Sequence, residues 1–186
     1  NYQVKVNKYI LDLSPKMLQA QASRNPDIIK ALPEDIRKTS LLNKYFDLTL
    51  LVDVLEHVPN PEEALKELQR ISNYVIFKVP LEDYFVFNIA NFLTKGATKQ
   101  QQINNYGHIN VYSARKIKKT IKKNNGTIII HEYTNLHQYY KKSKKKLGLI
   151  DKTIANFATA TYHISPRIAA SLFGDNSIIL TRCYEK

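Results

Sequence analysis

Residues 46–80, FDLTLLVDVLEHVPNPEEALKELQRISNYVIFKVP, constrain the fold of this chain more than any other stretch. Two apolar runs, FDLTLLV at 46–52 and YVIFKV at 74–79, bracket a segment with helical spacing. Near-continuous runs of this length are the signature of strands covered on both faces of a parallel sheet. Pro80 is expected to stop the second run. Between the runs, Asn60-Pro61-Glu62-Glu63 opens a helix: Asn60 caps, Pro61 fits the first turn, and Glu63 closes a reciprocal cap. Both acids suit the positive end of the helix. Leu65, Leu68 and Ile71 form its expected buried stripe.

The rest of the chain repeats the alternation. Residues 4–13 (VKVNKYILDL) read as a strand ending at Asp12, and 27–31 (DIIKA) as a weak one. Ser14 caps a short helix opened by Pro15 and running to about residue 22, packing through Met17, Leu18 and Ala22. Residues 83–93 are rich in Tyr and Phe without clean periodicity, and 95–106 are polar and loop-like. Ser113 caps a basic amphipathic helix with Ile117 and Ile121 inward, stopped by Asn125-Gly126 in a left-handed turn. Residues 127–133 and 177–183 are the last strands, and 138–173 between them are a helical insertion. Alternation of this kind predicts a single α/β domain with a doubly wound, mostly parallel sheet. Such sheets bind ligands beyond the carboxyl ends of their strands, so Asp12, residues 53–57 and residues 80–84 are the places to look for chemistry.

Charge narrows the partners. Thirteen of the 28 Lys and Arg, against only Glu132 among the 16 acids, lie between Lys95 and Lys146; the remainder, 15 bases and 15 acids, is neutral. The whole excess of +12 therefore sits on one stretch, either as a solvated lysine face or as an attraction for an anionic substrate, membrane surface or nucleic acid. A single cysteine, Cys183, precludes an internal disulfide and points to a reducing compartment, so cytoplasmic residence is expected. No apolar run approaches the roughly 18 residues of a membrane-spanning helix.

The segment Asp53-Val54-Leu55-Glu56-His57-Val58, followed by Asn60-Pro61, resembles the region between the fourth and fifth strands of class I S-adenosylmethionine-dependent methyltransferases. It is similar to the subgroup that modifies small molecules, quinones, lipids and sugars. Residues 107–115, GHINVYSAR, resemble the same subgroup ahead of its penultimate helix. The likeness runs from about Tyr9 to Tyr133. It implies a Rossmann-like sheet with the last strand antiparallel and S-adenosylmethionine as cofactor. Asp12 would then bind the ribose hydroxyls, with Leu13, Ser14 and Met17 beside the adenosine and Glu34 or Asp35 near the adenine amino group. Val52 and Asp53 would flank the methionine portion. Glu56 and His57 would face the transfer site, with His108 approaching from the other side. His57 is the first candidate for general base and His108 the second, because a neutral imidazole suits that role.

Two departures follow. The family carries a glycine-rich turn after its first strand, yet no glycine precedes Gly96. The sheet is thus expected to lack its first strand, and the sequence to be an incomplete record of a longer protein; a native start at Asn1, read by mass analysis, would defeat that expectation. Asp53, Glu56, His57 and His108 also imitate the ligands of a metal-dependent branch acting on small RNAs. The metal-free subgroup carries nearly the same letters, and no metal is expected.

Three functions remain in play: methyl transfer to a small molecule, most plausibly to oxygen of a sugar or lipid-linked glycan; methylation of RNA, favoured by the basic stretch; and a non-catalytic module docking on an anionic membrane through Lys141, Lys142, Lys144, Lys145 and Lys146. Oligomeric state is left open.

Overall fold

The structure, a computed structural model, describes residues 6–142 and 148–185. Lys144, Lys145 and Lys146 and the start of the first expected strand lie outside them. In chain order the elements are β1 (Lys8–Leu11), α1 (Pro15–Arg24), β2 (Ile28–Leu32), β3 (Phe46–Val52), α2 (Pro61–Ile71), β4 (Ser72–Leu81), α3 (Phe85–Leu93), α4 (Ala97–Tyr106), α5 (Ala114–Asn124), β5 (Gly126–Tyr133), α6 (Leu136–Lys142), α7 (Leu149–Ile164), α8 (Pro166–Phe173) and β6 (Asp175–Cys183).

Alternation of strand and helix produces the doubly wound arrangement, but in two sheets. β1 and β2 form a parallel pair, and the other four strands lie in the order β3-β4-β6-β5. β3 runs parallel to β4, whereas β6 runs antiparallel to both β4 and β5. The last strand is therefore the antiparallel one, and the sheet is short where a first strand is expected. On the described residues, β1 and β3 face one another with no strand between them.

The core lies between α2, α5 and the four-stranded sheet. Leu65, Leu68, Val75, Phe77, Ile117, Ile121 and Ile179 are all essentially inaccessible and form one cluster, and Ile71 is buried as well. The α2 stripe and the inward isoleucines of α5 are those that helical periodicity selects. Asn125 joins the layers from the end of α5: its amide donates to the Leu65 carbonyl (3.2 Å) and its oxygen accepts from the Thr181 hydroxyl (2.7 Å).

Several expectations need correction. β3 is covered on one face only: Leu48, Leu50 and Val52, which alternate along it, are 48%, 63% and 51% exposed. Leu51 joins the core cluster on one side, while on the other Phe46 meets Tyr9 and the residues beyond it stay open. Pro80 does not stop β4, which continues to Leu81; pairing with β3 ends at Lys78, so no ladder bond from β3 needs the missing proline N–H. Asn60 adopts left-handed φ and makes no side-chain cap, and Glu63 reaches it only through its backbone N–H, at 3.0 Å from the Asn60 carbonyl. Met17 is half exposed and leaves Leu18 as the buried residue of α1. Residues 97–106 are helical, bounded by Gly96 and Gly107 at positive φ. Asn125-Gly126 is not a left-handed stop; Gly126 begins β5, where a Cβ would stand 2.1 Å from the Arg182 carbonyl oxygen.

Candidate functional site

The split in the sheet opens a groove of about 750 Å³, a size suited to a small ligand. One wall is β1 with Asp12, Leu13, Ile28 and Leu32. The other is β3 with Val54, His57 and Val58. Glu34 and Asp35 also line it. At the amino ends of the strands Tyr9 closes the gap, its ring 5.4 Å from Phe46 and 5.7 Å from Tyr45. The carboxyl ends, where Asp12 and His57 lie, are left for chemistry.

Asp12 follows the last residue of β1. One carboxylate oxygen accepts the Ser14 N–H at 2.8 Å, and the Ser14 hydroxyl accepts the Met17 N–H at 3.3 Å, capping α1. Asp12 is thereby held in a fixed orientation while its second oxygen has no hydrogen-bond partner among the described residues. Ser14 serves as the cap, and neither it nor Met17 lines the groove. The acids at the end of β2 are committed locally. Asp35 forks with Arg37 at 2.6 Å, and Glu34 accepts from the Ser40 hydroxyl and N–H; these bonds hold both carboxyls below their usual range.

At the end of β3, Asp53 takes left-handed φ of 52° and pairs with Lys78 on β4 at 2.5 Å. Neither Val52 nor Asp53 lines the groove. The chain then turns so that Glu56 is 1% exposed while His57 stays at the surface. Burial, more than the neighbouring Asp53 charge, pushes the Glu56 carboxyl above its ordinary value. Neither Glu56 oxygen has a hydrogen-bond partner among the described residues.

Gly107, at φ 69°, ends α4 and turns the chain back toward this corner. Its carbonyl accepts from His57 Nδ1 at 3.2 Å. The Glu56 carbonyl accepts two N–H groups, from Ile109 at 2.9 Å and Asn110 at 3.0 Å, and the Asn110 amide donates to the Leu55 and Val58 carbonyls. These bonds staple residues 107–110 to residues 55–58. His108 is delivered 4.7 Å from His57, ring centre to ring centre, with its Nδ1 2.7 Å from Glu82.

The chain therefore has one crevice running from a strand-tip carboxylate to His57, beside which lie a buried glutamate and a second imidazole. Residues 3–73 match a family described as "Methyltransferase domain". The fold is shared with geranyl diphosphate methyltransferase in complex with S-adenosylmethionine, at TM-score 0.60 and 11% identity, covering 96% of this chain and 69% of that one. It is also shared with geranyl diphosphate C-methyltransferase from Streptomyces coelicolor A3(2), at TM-score 0.57 and 11% identity, covering 95% and 64%. The [4+2]-cyclase SpnF has TM-score 0.60, 11% identity, and coverage of 97% and 67%. No curated protein matches the chain. The fold is that of the Rossmann-like methyltransferases, and residues 3–73 carry the matching family pattern.

Within this methyltransferase fold the structure brings Asp12, Leu13, Glu34, Asp35 and His57 to one groove, and Glu56 and His108 to its corner. It leaves Met17, Val52 and Asp53 outside the lining. Two residues that sequence reasoning passed over, Glu82 and Asn110, organise the corner. Glu82 directly follows β4, where ligand chemistry is expected in such a sheet, and Asn110 sits inside the GHIN stretch of the resemblance; both signals were present in the sequence. SpnF, a cyclase by name, shows that the fold alone does not fix the reaction.

Proposed function

We propose that this chain is a methyltransferase, which transfers a methyl group from S-adenosylmethionine to an oxygen of a small-molecule acceptor, a sugar or lipid-linked glycan being the preferred class. When bound, the cofactor supplies an electrophilic methyl on sulfonium sulfur. The residues present suit its nucleoside end, because the second Asp12 oxygen is available for vicinal hydroxyls at the mouth of the groove. The chain's own work is to hold that ribose, to align the acceptor, and to remove the hydroxyl proton. His57 lines the groove. Its Nδ1–H donates to the Gly107 carbonyl, which leaves Nε2 with the lone pair that accepts the proton. His108, backed by Glu82 as in a carboxylate–imidazole dyad, is placed to take the same part. Asp12 would hold the donor's nucleoside end, and the donor would supply the methyl that the acceptor oxygen takes up, with S-adenosylhomocysteine as the by-product.

The single observation that carries this reading is the continuity of one groove from Asp12 to His57. Calorimetric titration of the full-length natural protein with S-adenosylmethionine tests it. Micromolar binding that weakens in Asp12→Ala supports the reading; no binding by the wild type ends it in favour of a non-catalytic module. An extended segment lying between β1 and β3 would complete the groove, and we include it in the proposal as part of the natural protein.

The basic stretch gives RNA no comparable support. Arg115, Lys116, Lys119, Lys122 and Lys123 are exposed on α5, but no exposed aromatic side chain of that helix accompanies them for base stacking. For a membrane, no helix among the described residues is long and apolar enough to cross one.

A further inference from the structure

We propose that helix α3 and the turn that follows it are a docking surface for an anionic lipid bilayer, with Phe92 and Leu93 entering the interface and Lys95 and Lys99 meeting the headgroups. The proposal rests on the methyl-transfer reading only for what the bilayer delivers: of the acceptors named there, the lipid-linked glycan is the one a membrane presents.

Residues 83–107 leave the candidate site and return to it. They begin after Glu82 and end before His108, and the Glu82 carboxylate stands 2.7 Å from His108 Nδ1, which ties the two ends of this arm together. α3 opens the arm. Its sequence, FVFNIANFL, is apolar nearly all round, yet no residue of it is buried. Phe85, Ile89, Phe92 and Leu93 recur at the spacing of one helical face and are all exposed, Phe92 at 82% and Leu93 at 73%. A contiguous apolar stripe of this kind marks an interaction surface. Asn88, the polar residue on that face, turns its amide back to the Asp83 carboxylate at 3.0 Å. At about 1.5 Å per residue, nine residues are too short to span a bilayer and suit a helix lying in its interface.

The turn beyond α3 satisfies its own polar groups. The Thr94 hydroxyl donates to the Ala90 carbonyl at 2.9 Å, the Gly96 N–H to the Asn91 carbonyl at 2.8 Å, and the Lys99 N–H to the Asn91 side-chain oxygen at 3.0 Å. These groups therefore carry their partners with them into a poorly hydrated layer. Lys95 and Lys99 supply the charge; both are exposed, and neither is in an ion pair among the described residues. Exposed Lys141 and Lys142 extend the basic surface from α6, whose Tyr140 interacts electrostatically with Tyr84 and Tyr106 at the two ends of the arm. No Asp or Glu occurs between Asp83 and Glu132, so beyond its first residue the arm has no acid to repel an anionic headgroup. A second copy of the chain is the poorer occupant, because a twofold contact would set these lysines against one another.

The test is flotation of the full-length natural protein with phosphatidylcholine vesicles, prepared with and without phosphatidylglycerol. Binding is expected to need the anionic lipid and to weaken as salt is raised. Phe92→Ser combined with Leu93→Ser should weaken it about 100-fold, and Lys95→Gln combined with Lys99→Gln about 10–30-fold. All four side chains are exposed, so both variants should keep the circular dichroism and melting curve of the wild type. No vesicle binding by the wild type overturns the proposal, as does binding indifferent to phosphatidylglycerol or unchanged in the serine pair. A dimer that the serine pair dissolves, found in place of vesicle binding, gives the face to a second copy and overturns it as well. Calorimetry with S-adenosylmethionine separates the two readings. Its failure with vesicle binding intact sinks methyl transfer alone, whereas donor binding without vesicle binding sinks the docking alone.

Discussion

Replacing Glu67 with Gln tests whether the link between the two halves of the groove is electrostatic. Residues 33–45 carry the chain from β2, in the half with Asp12, to β3, in the half with His57. Glu67 on α2 anchors that link: it accepts the Thr39 N–H and hydroxyl at 2.8 and 2.7 Å and forks with Arg70 at 2.6 Å. Arg70 in turn donates to the Leu41 carbonyl at 2.7 Å. Burial alone would raise the Glu67 carboxyl, but the bonds from Arg70 and Thr39 outweigh it and bring the group down from 4.5 to about 2. At about 1.36 kcal/mol per pH unit, that depression is worth about 3 kcal/mol to the folded state with Glu67 ionised. The side chain is only 11% exposed, so solvent screening removes little of it.

The sign follows from the direction. A carboxyl lowered on folding stabilises the protein above its unfolded value, near 4.5, and loses that contribution as pH falls toward about 2. Glu67→Gln should therefore cost about 2–3 kcal/mol at pH 7, a large share of a typical 5–15 kcal/mol stability. The difference from the wild type should narrow from pH 4.5 downward and approach zero near pH 2. Urea unfolding of both proteins across that range is the assay. A difference that does not change with pH, or that stays below about 1 kcal/mol at pH 7, would refute the electrostatic account.

Other substitutions probe other joints. Asp12→Ala should weaken S-adenosylmethionine about 10–100-fold, the value of losing hydrogen bonds to a charged group, with little effect on unfolding midpoint beyond the lost Ser14 contact. Gly126→Ala places a methyl 2.1 Å from a backbone oxygen of β6 that cannot move away without breaking the ladder; a loss of about 2–3 kcal/mol in denaturant unfolding is expected, and a neutral result would mean that β5 begins elsewhere. Asn125→Ala removes the bond to the Leu65 carbonyl and leaves the buried Thr181 hydroxyl only its longer bond to the Val75 carbonyl at 3.3 Å, and should cost about 1 kcal/mol by the same assay.

Much of this architecture was legible because local and global signals agree. The limits of β3 match the apolar run at 46–52, and α1 and α5 start at the serines whose side chains cap them. The signal failed where it is weak in principle. Helix α4 has no apolar stripe, since ATKQQQINNY is polar nearly throughout; its ends are set by two glycines in left-handed geometry, which read equally well as loop. Asn60 looked like a cap because of its residue type, yet Asn also tolerates positive φ, and here that second property is the one used. For the site, residue type and strand-end position found Asp12, Glu56, His57 and His108. They could not show that Glu34 and Asp35 spend their carboxylates on Ser40 and Arg37, because that depends on how one short loop closes on itself.

Two departures that look separate have one physical cause. β3 reads as a strand buried on both faces, yet three of its five apolar side chains are exposed; the sheet reads as continuous, yet it is split between β1 and β3. An extended segment paired between them would satisfy the backbone edges of both strands, and elements packed on the adjoining face would cover Leu48, Leu50 and Val52, each worth about 1.5–3 kcal/mol when fully buried. On the proposal that such a segment belongs to the natural protein, the exposed apolar face of β3 is where it would pack. The walls of the groove are already set by independent contacts: Tyr9 against Phe46 at one end, and the Glu67–Arg70–Thr39 link beneath. A segment entering there would find both partners in place, and its turn beyond the carboxyl end of the strands would emerge between Asp12 and His57, at the methyl-donor site proposed above.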